Sequence, residues 1–174
     1  MTSVKIRFTP NDAGQSALSF FSVNYNGFRK GDSMSALGLK IIDDSAQQAN
    51  VWINEVDAAT GWDHKQRAYR LLRSVLHVVR DHLSVDEAAQ LAAQMPVMIR
   101  GIYYEGWNPS KTPMAIRSAD AFVERVQRDF ETDPLGDADH AIAAVMSVLR
   151  KHVSAGEMED VEQSFTTQIR ALFG

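Results

Sequence analysis

The chain has 174 residues, no cysteine and a formal net charge of −4, with 45% apolar and 23% charged residues. These ordinary globular proportions exclude wholesale disorder, and the missing cysteine excludes disulfides, thiolate metal sites and a cysteine nucleophile. Lys and Arg are scattered among acids, leaving no basic face for a run of phosphates, and no apolar run nears the roughly 20 residues that cross a bilayer; nucleic acid and membrane are not expected partners, and the cytoplasm is the default location.

Residues 1–33 are rich in Asn, Ser and Gly, as in "NDAGQSALSFFSVNYNGFRKGDS", and show no sustained helical period. One reading makes this leader an upstream-start artefact with Met34 as the natural start; the other makes it a genuine tail or short β-like arm, since "VKIRF" alternates. From Met34 the text becomes "MSALGLKIIDDSAQQANVWINEV", where Asp44 and Ser45 read as N-cap residues ahead of an amphipathic run.

Ala49, Trp52, Ile53 and Val56 form one apolar stripe, and Thr60-Gly61 supplies a helix stop. Asp63 reads as the cap of a helix running to about His82, with Ala68, Leu72, Val75, Leu76 and Val79 inward. "SVDE" follows, in which the Ser84 hydroxyl accepts from the Glu87 amide while the Glu87 carboxylate reaches back to the Ser84 amide. Pro96 then kinks a helix or starts a new one. Val97, Met98, Ile99, Ile102 and Tyr103 continue an apolar face to Gly106, whose left-handed conformation would end the helix and fold Trp107 back on it. "NPSKTPMAIRS" reads as a linker, about 107–117, in which prolines block helix continuation.

After the linker the pattern starts again. A gapless shift of 70 residues aligns 46–103 with 116–173 at twelve identical positions, among them Asp63 with Asp133, Arg80 with Arg150, His82 with His152, Ser84 with Ser154, Glu87 with Glu157 and Arg100 with Arg170. Apolar character also recurs, as in Trp52 with Phe122 and Met95 with Phe165. Each repeat of about 58 residues has an apolar face with nowhere to bury it alone. The expected fold is all-α: one helical bundle, 34–174, of two tandem repeats packed with pseudo-two-fold symmetry. Thr166 replaces Pro96 in the second repeat, which therefore need not share the break.

Chemistry is harder to find. His77 and Asp81 share a helical face, but two ligands do not make a metal site and "HExxH" is absent, so no metal, cofactor or catalytic residue is expected. His82 and His152 sit where a helix C-terminus favours a cation and offers carbonyls. "EMEDVE" reads as a solvated face of the last helix. Tyr104, Glu105 and Trp107 have no aligned counterparts, because the second repeat ends at Gly174, and they are the candidate interaction surface. Arg100 and Arg170, repeated in equivalent positions, with His77, are the candidate anion or ligand contacts.

The string "QRAYRLLRSVLHVVRDHLSVDEAAQLAAQMPVMIRGIYYEGW", preceded by "SALGLKIIDDSAQQANVWINEV", resembles a bacterial family termed domain of unknown function 2267 over about residues 35–173. The family's "AQLP" stands here as "AQMP". The resemblance implies an all-helical fold of two related halves with obliquely crossing helices, and it implies no established activity, cofactor or catalytic residue. The functional expectation is a non-enzymatic module that binds an unknown protein partner or itself. The alternative is a small-ligand or enzymatic pocket between the repeats.

Overall fold

The computed structural model describes residues 39–174, so both readings of the leader and of Met34 lie outside the described residues. These residues form eight α-helices and three 3₁₀ turns, with no strand among them: α1 Lys40–Thr60, α2 Lys65–His82, α3 Val85–Ala93, α4 Val97–Tyr104, α5 Ala119–Gln127, α6 Ala138–His152, α7 Ala155–Gln163 and α8 Thr167–Arg170. None of the helices is long and apolar enough to cross a membrane.

The start of α1 differs from the sequence expectation. Asp44 and Ser45 are not its caps but lie one turn inside it, because Lys40 pairs with Asp44 at 2.5 Å and the Ser45 hydroxyl donates back to the Ile41 carbonyl. A charge pair four residues apart and a back-bonded serine are both compatible with helix, so these polar residues need not end it. The stop at Gly61 is as expected: its φ is 66°, and its amide donates to the Asp57 carbonyl.

Asp63 does not cap α2 either. His64 takes that position, its ring accepting from the Arg67 amide at 3.2 Å, while the buried Asp57 carboxylate accepts from the His64 amide at 2.8 Å. Asp57 belongs to α1, so a tertiary contact decides where α2 begins. Asp63 instead occupies the left-handed region at φ 51°, and its aligned partner Asp133 pairs with Arg67 and lies 3.6 Å from Arg70.

The capping box at Ser84 is complete, with 3.2 Å from the Glu87 amide to the Ser84 hydroxyl and 2.9 Å from the Ser84 amide to the Glu87 carboxylate. At Ser154 only half of it forms. The Glu157 amide donates to the Ser154 hydroxyl, but the Ser154 amide goes to the Gln94 side-chain oxygen at 2.8 Å.

Pro96 starts α4 as a separate helix, and the second half has a break too, where Thr166 caps α8 with its hydroxyl. "EMEDVE" therefore lies in α7 rather than the last helix, and two of its residues, Met158 and Val161, are buried. A threonine can accept the N-terminal amides that a proline leaves to the chain, so either residue tolerates the same turn.

One continuous core holds these elements, with Trp52, Leu72, Val75, Tyr103, Phe122, Ile142, Val145 and Phe173 fully buried. Helix α1 packs on α2 and α6, α2 on α4, α5 and α6, and α3 on α7. Phe122, Phe165 and Phe173 meet edge to face at 5.2 to 6.0 Å. Such contacts add to the burial of the rings.

Candidate functional site

The stretch around Gly106 is first of all a helix end. Gly106 has φ 66°, the Trp107 amide donates to the Tyr104 carbonyl, and the Trp107 ring stacks on Tyr104 at 5.1 Å. Both rings are half-buried against the core, and the Trp107 Nε1 is buried without an acceptor among the described residues. Glu105 is exposed and accepts from Arg73 at 2.7 Å, which holds its carboxyl below the usual carboxylate range. Tyr104, Glu105 and Trp107 thus stand together at one edge of the molecule, fixed by stacking and by one ion pair.

Arg100, Arg170 and His77 are not brought together. The Arg100 guanidinium donates to the Met95 carbonyl at 3.3 Å, and Arg170 lines a cavity of about 380 Å³ with Arg150, Met158, Glu159 and Glu162. His77 lines a smaller cleft of about 190 Å³ with Arg73, Asp81, Arg125 and Asp129. Its Nε2 donates to the Ile102 carbonyl at 2.7 Å, and burial pushes its pKa down.

His82 and His152, which align at the 70-residue shift, bond groups beyond their own helix ends. His82 lies between two carbonyl oxygens, Met114 at 3.1 Å from Nδ1 and Ser164 at 2.9 Å from Nε2, and stacks on Phe165 at 4.2 Å. His152 stacks on Trp52 at 4.8 Å and meets Glu55 at 2.5 Å. Burial opposes ionisation of Glu55, but its bonds from Lys151 and His152 outweigh that and keep its carboxyl below the ordinary range. The buried Arg80 reaches the Tyr103 and Glu105 carbonyls at 2.5 and 3.0 Å and pairs with Asp81 at 2.7 Å. Arg150 makes the matching bond to the Phe173 carbonyl at 2.8 Å. These side chains fasten helix ends.

Among the described residues no three His, Asp or Glu side chains are grouped to hold a metal ion. What the surface does offer is apolar. Val51, Val85, Val97 and Met98 are 46%, 43%, 66% and 42% exposed, and Val51 borders a groove of about 400 Å³ with Trp52, Gln94, Met95, Pro96 and His152. Val97 and Met98 therefore do not share the buried face of Ile99 and Tyr103 that periodicity gives them, and Val51 and Val85 were not singled out, because an apolar residue at the margin of an amphipathic stripe reads as core. The signal that could have found them is the alignment of the halves, where Ala121, Ala155, Thr167 and Gln168 stand opposite them.

The family model described as "Uncharacterized conserved protein (DUF2267)" matches residues 49–172. The chain belongs to this family. The match runs from the first buried residue of α1 to the buried Leu172, so family membership covers nearly the whole described core. No curated protein matches the chain.

Proposed function

We propose that the protein is a non-enzymatic cytoplasmic interaction module built from two repeats related by a pseudo-two-fold axis, 46–103 and 116–173, with 107–117 as the linker and residues 34–174 as the domain. Three features support the duplication. Helices α3 and α7 have the same nine-residue length and start 70 positions apart, as do the starts of α4 and α8. Arg80 and Arg150 bond carbonyls the same 23 positions ahead. The α3–α7 seam is reciprocal: Gln94 donates to Glu157 at 3.3 Å, while Ser164, aligned with Gln94, donates to Glu87, aligned with Glu157, at 3.2 Å. A contact repeated with its partners exchanged is what a two-fold relation generates.

The observation that carries the functional reading is the unequal surface of the halves. Duplicated positions face the same structural demand, so a residue exposed in both halves but large and apolar in one answers to something outside the fold. Val97 and Met98 are such residues, opposite the exposed Thr167 and Gln168, and Val51 is exposed where its counterpart Ala121 is partly buried. The Tyr104, Glu105 and Trp107 edge follows directly on the 46–103 repeat and is the second candidate surface. A ligand pocket shared by Arg100, Arg170 and His77 has less support, since the three occupy different places.

The test places a photoreactive amino acid at Val97 in the cell, with Thr167 as the matched control. A discrete protein adduct from position 97 and none from 167 is the expected result. Equal adducts from both, or none together with a small molecule that raises the melting temperature and fails on Arg170→Ala, would overturn it.

A further inference from the structure

Aligned residues beside His82 and His152 form matching grooves, and among the described residues only the first is crossed by a chain segment. Beside His82 the occupant is the chain's own linker. The Met114 amide donates to the Asp81 carbonyl at 2.6 Å, the Met114 carbonyl lies 3.1 Å from His82 Nδ1, and the Thr166 hydroxyl donates to the Arg117 carbonyl at 3.2 Å. Ile116 is 5% exposed, so these irregular, non-helical residues run across the groove and bury one apolar side chain.

Beside His152 the corresponding residues are present, but no described residue crosses them as the linker crosses the first groove. Where the linker runs irregularly into α5, the first half has the additional turns of α1 from Lys40, which keep the chain helical through the aligned positions. The groove of about 400 Å³ is left open between Val51, Trp52, Met95 and Pro96. Lys151, aligned with Asp81, lies in the last turn of α6, where carbonyls lack an in-helix donor. His152 has Nε2 on Glu55, and its Nδ1 has no partner among the described residues. Acceptor, imidazole and apolar slot thus recur.

We propose that the His152 groove binds an extended, apolar segment of another protein, which crosses it as Met114–Arg117 crosses the His82 groove. Main-chain bonds to the Lys151 carbonyl and His152 would hold its backbone, and one apolar side chain would enter between Val51 and Pro96, as extended-peptide recognition generally divides affinity and selectivity. No carboxylate lines the groove among the described residues, and Glu55 beside it is paired with Lys151 and His152, so a neutral apolar segment fits better than a charged one. This inference rests on the repeat and interaction readings above.

A phage-displayed library of random heptapeptides is panned on the full chain, with Val51→Glu as counter-target; position 51 is 46% exposed, and circular dichroism checks that the variant keeps its fold. Enriched sequences should share one apolar position, and a synthetic peptide of that sequence should bind the parent at least tenfold more tightly than the variant. Replacing its apolar residue with Asp should cost a similar factor. No enrichment, or equal enrichment on both targets, overturns the proposal. Self-association that Val51→Glu abolishes, with no peptide enriched, overturns it in favour of a second copy. A crystal structure separates the readings: if 46–103 and 116–173 fail to superpose, the repeat reading fails, whereas superposable halves without peptide binding remove only the groove.

Discussion

Arg80 shows how much one side chain can fix. Its guanidinium is 4% exposed and joins Asp81 to two carbonyls at the end of α4, so Arg80→Met should leave those carbonyls without this donor and Asp81 with Arg125 alone, and cost about 3 kcal/mol in urea unfolding. Arg150→Met should cost less, because that side chain is 35% exposed and water can replace it. The seam glutamates give a contrast in sign. Bonds from the Ser84 amide and hydroxyl lower the Glu87 pKa, so its contribution is present above the ordinary carboxylate pKa and is lost as pH falls through the folded value. Burial, with Asp160 nearby, raises the Glu157 pKa, so its charged form disfavours the fold as pH rises through that value. Glu87→Gln should therefore destabilise at pH 7 and flatten the acid limb of the stability profile, whereas Glu157→Gln should stabilise or be neutral there. Thermal melts from pH 3 to 7 distinguish these outcomes.

Among the elements, the local caps at Ser84 and Gly61 were legible in the sequence, whereas the start of α1 and the caps that use distant residues were not. The Ser84 box closes within four residues, and Ser84→Ala should cost about 1 kcal/mol. Gly61 was equally readable because a left-handed residue ends α1 whatever surrounds it; a Cβ there would meet nothing within 4 Å, so Gly61→Ala should cost about 1 kcal/mol through the backbone alone, measured by thermal unfolding. Asp63 failed as a cap because Asp57, a turn earlier in α1, supplies the acceptor for the entry to α2. The Ser154 box is half-formed because Gln94 reaches across the α3–α7 seam and takes the place of Glu157. Short helices depend on such neighbours, since a nine-residue helix alone is marginal in water.

For the molecule as a whole, the core is shared between the halves: Trp52 of α1 stacks on His152, and Ser74 of α2 donates to the Val126 carbonyl at 3.0 Å. A fragment of residues 39–107 should therefore show little helix by circular dichroism until residues 108–174 are added, whereas a self-sufficient half would fold alone. The sequence by itself determined the all-helical class, the family, the inward faces of α1 and α2 and the breaks at Gly61, Ser84, Pro96 and Gly106, because each follows from short-range periodicity or backbone stereochemistry. It also placed Tyr104, Glu105 and Trp107 side by side, as neighbours on one helix end must be. Only the tertiary structure decided that Arg100, Arg170 and His77 stand apart, that His82 meets the linker while its counterpart meets Glu55, and that Val51 and Val97 lie outside the core. An apolar residue has the same hydrophobicity inside or outside, and what covers it depends on segments far along the chain.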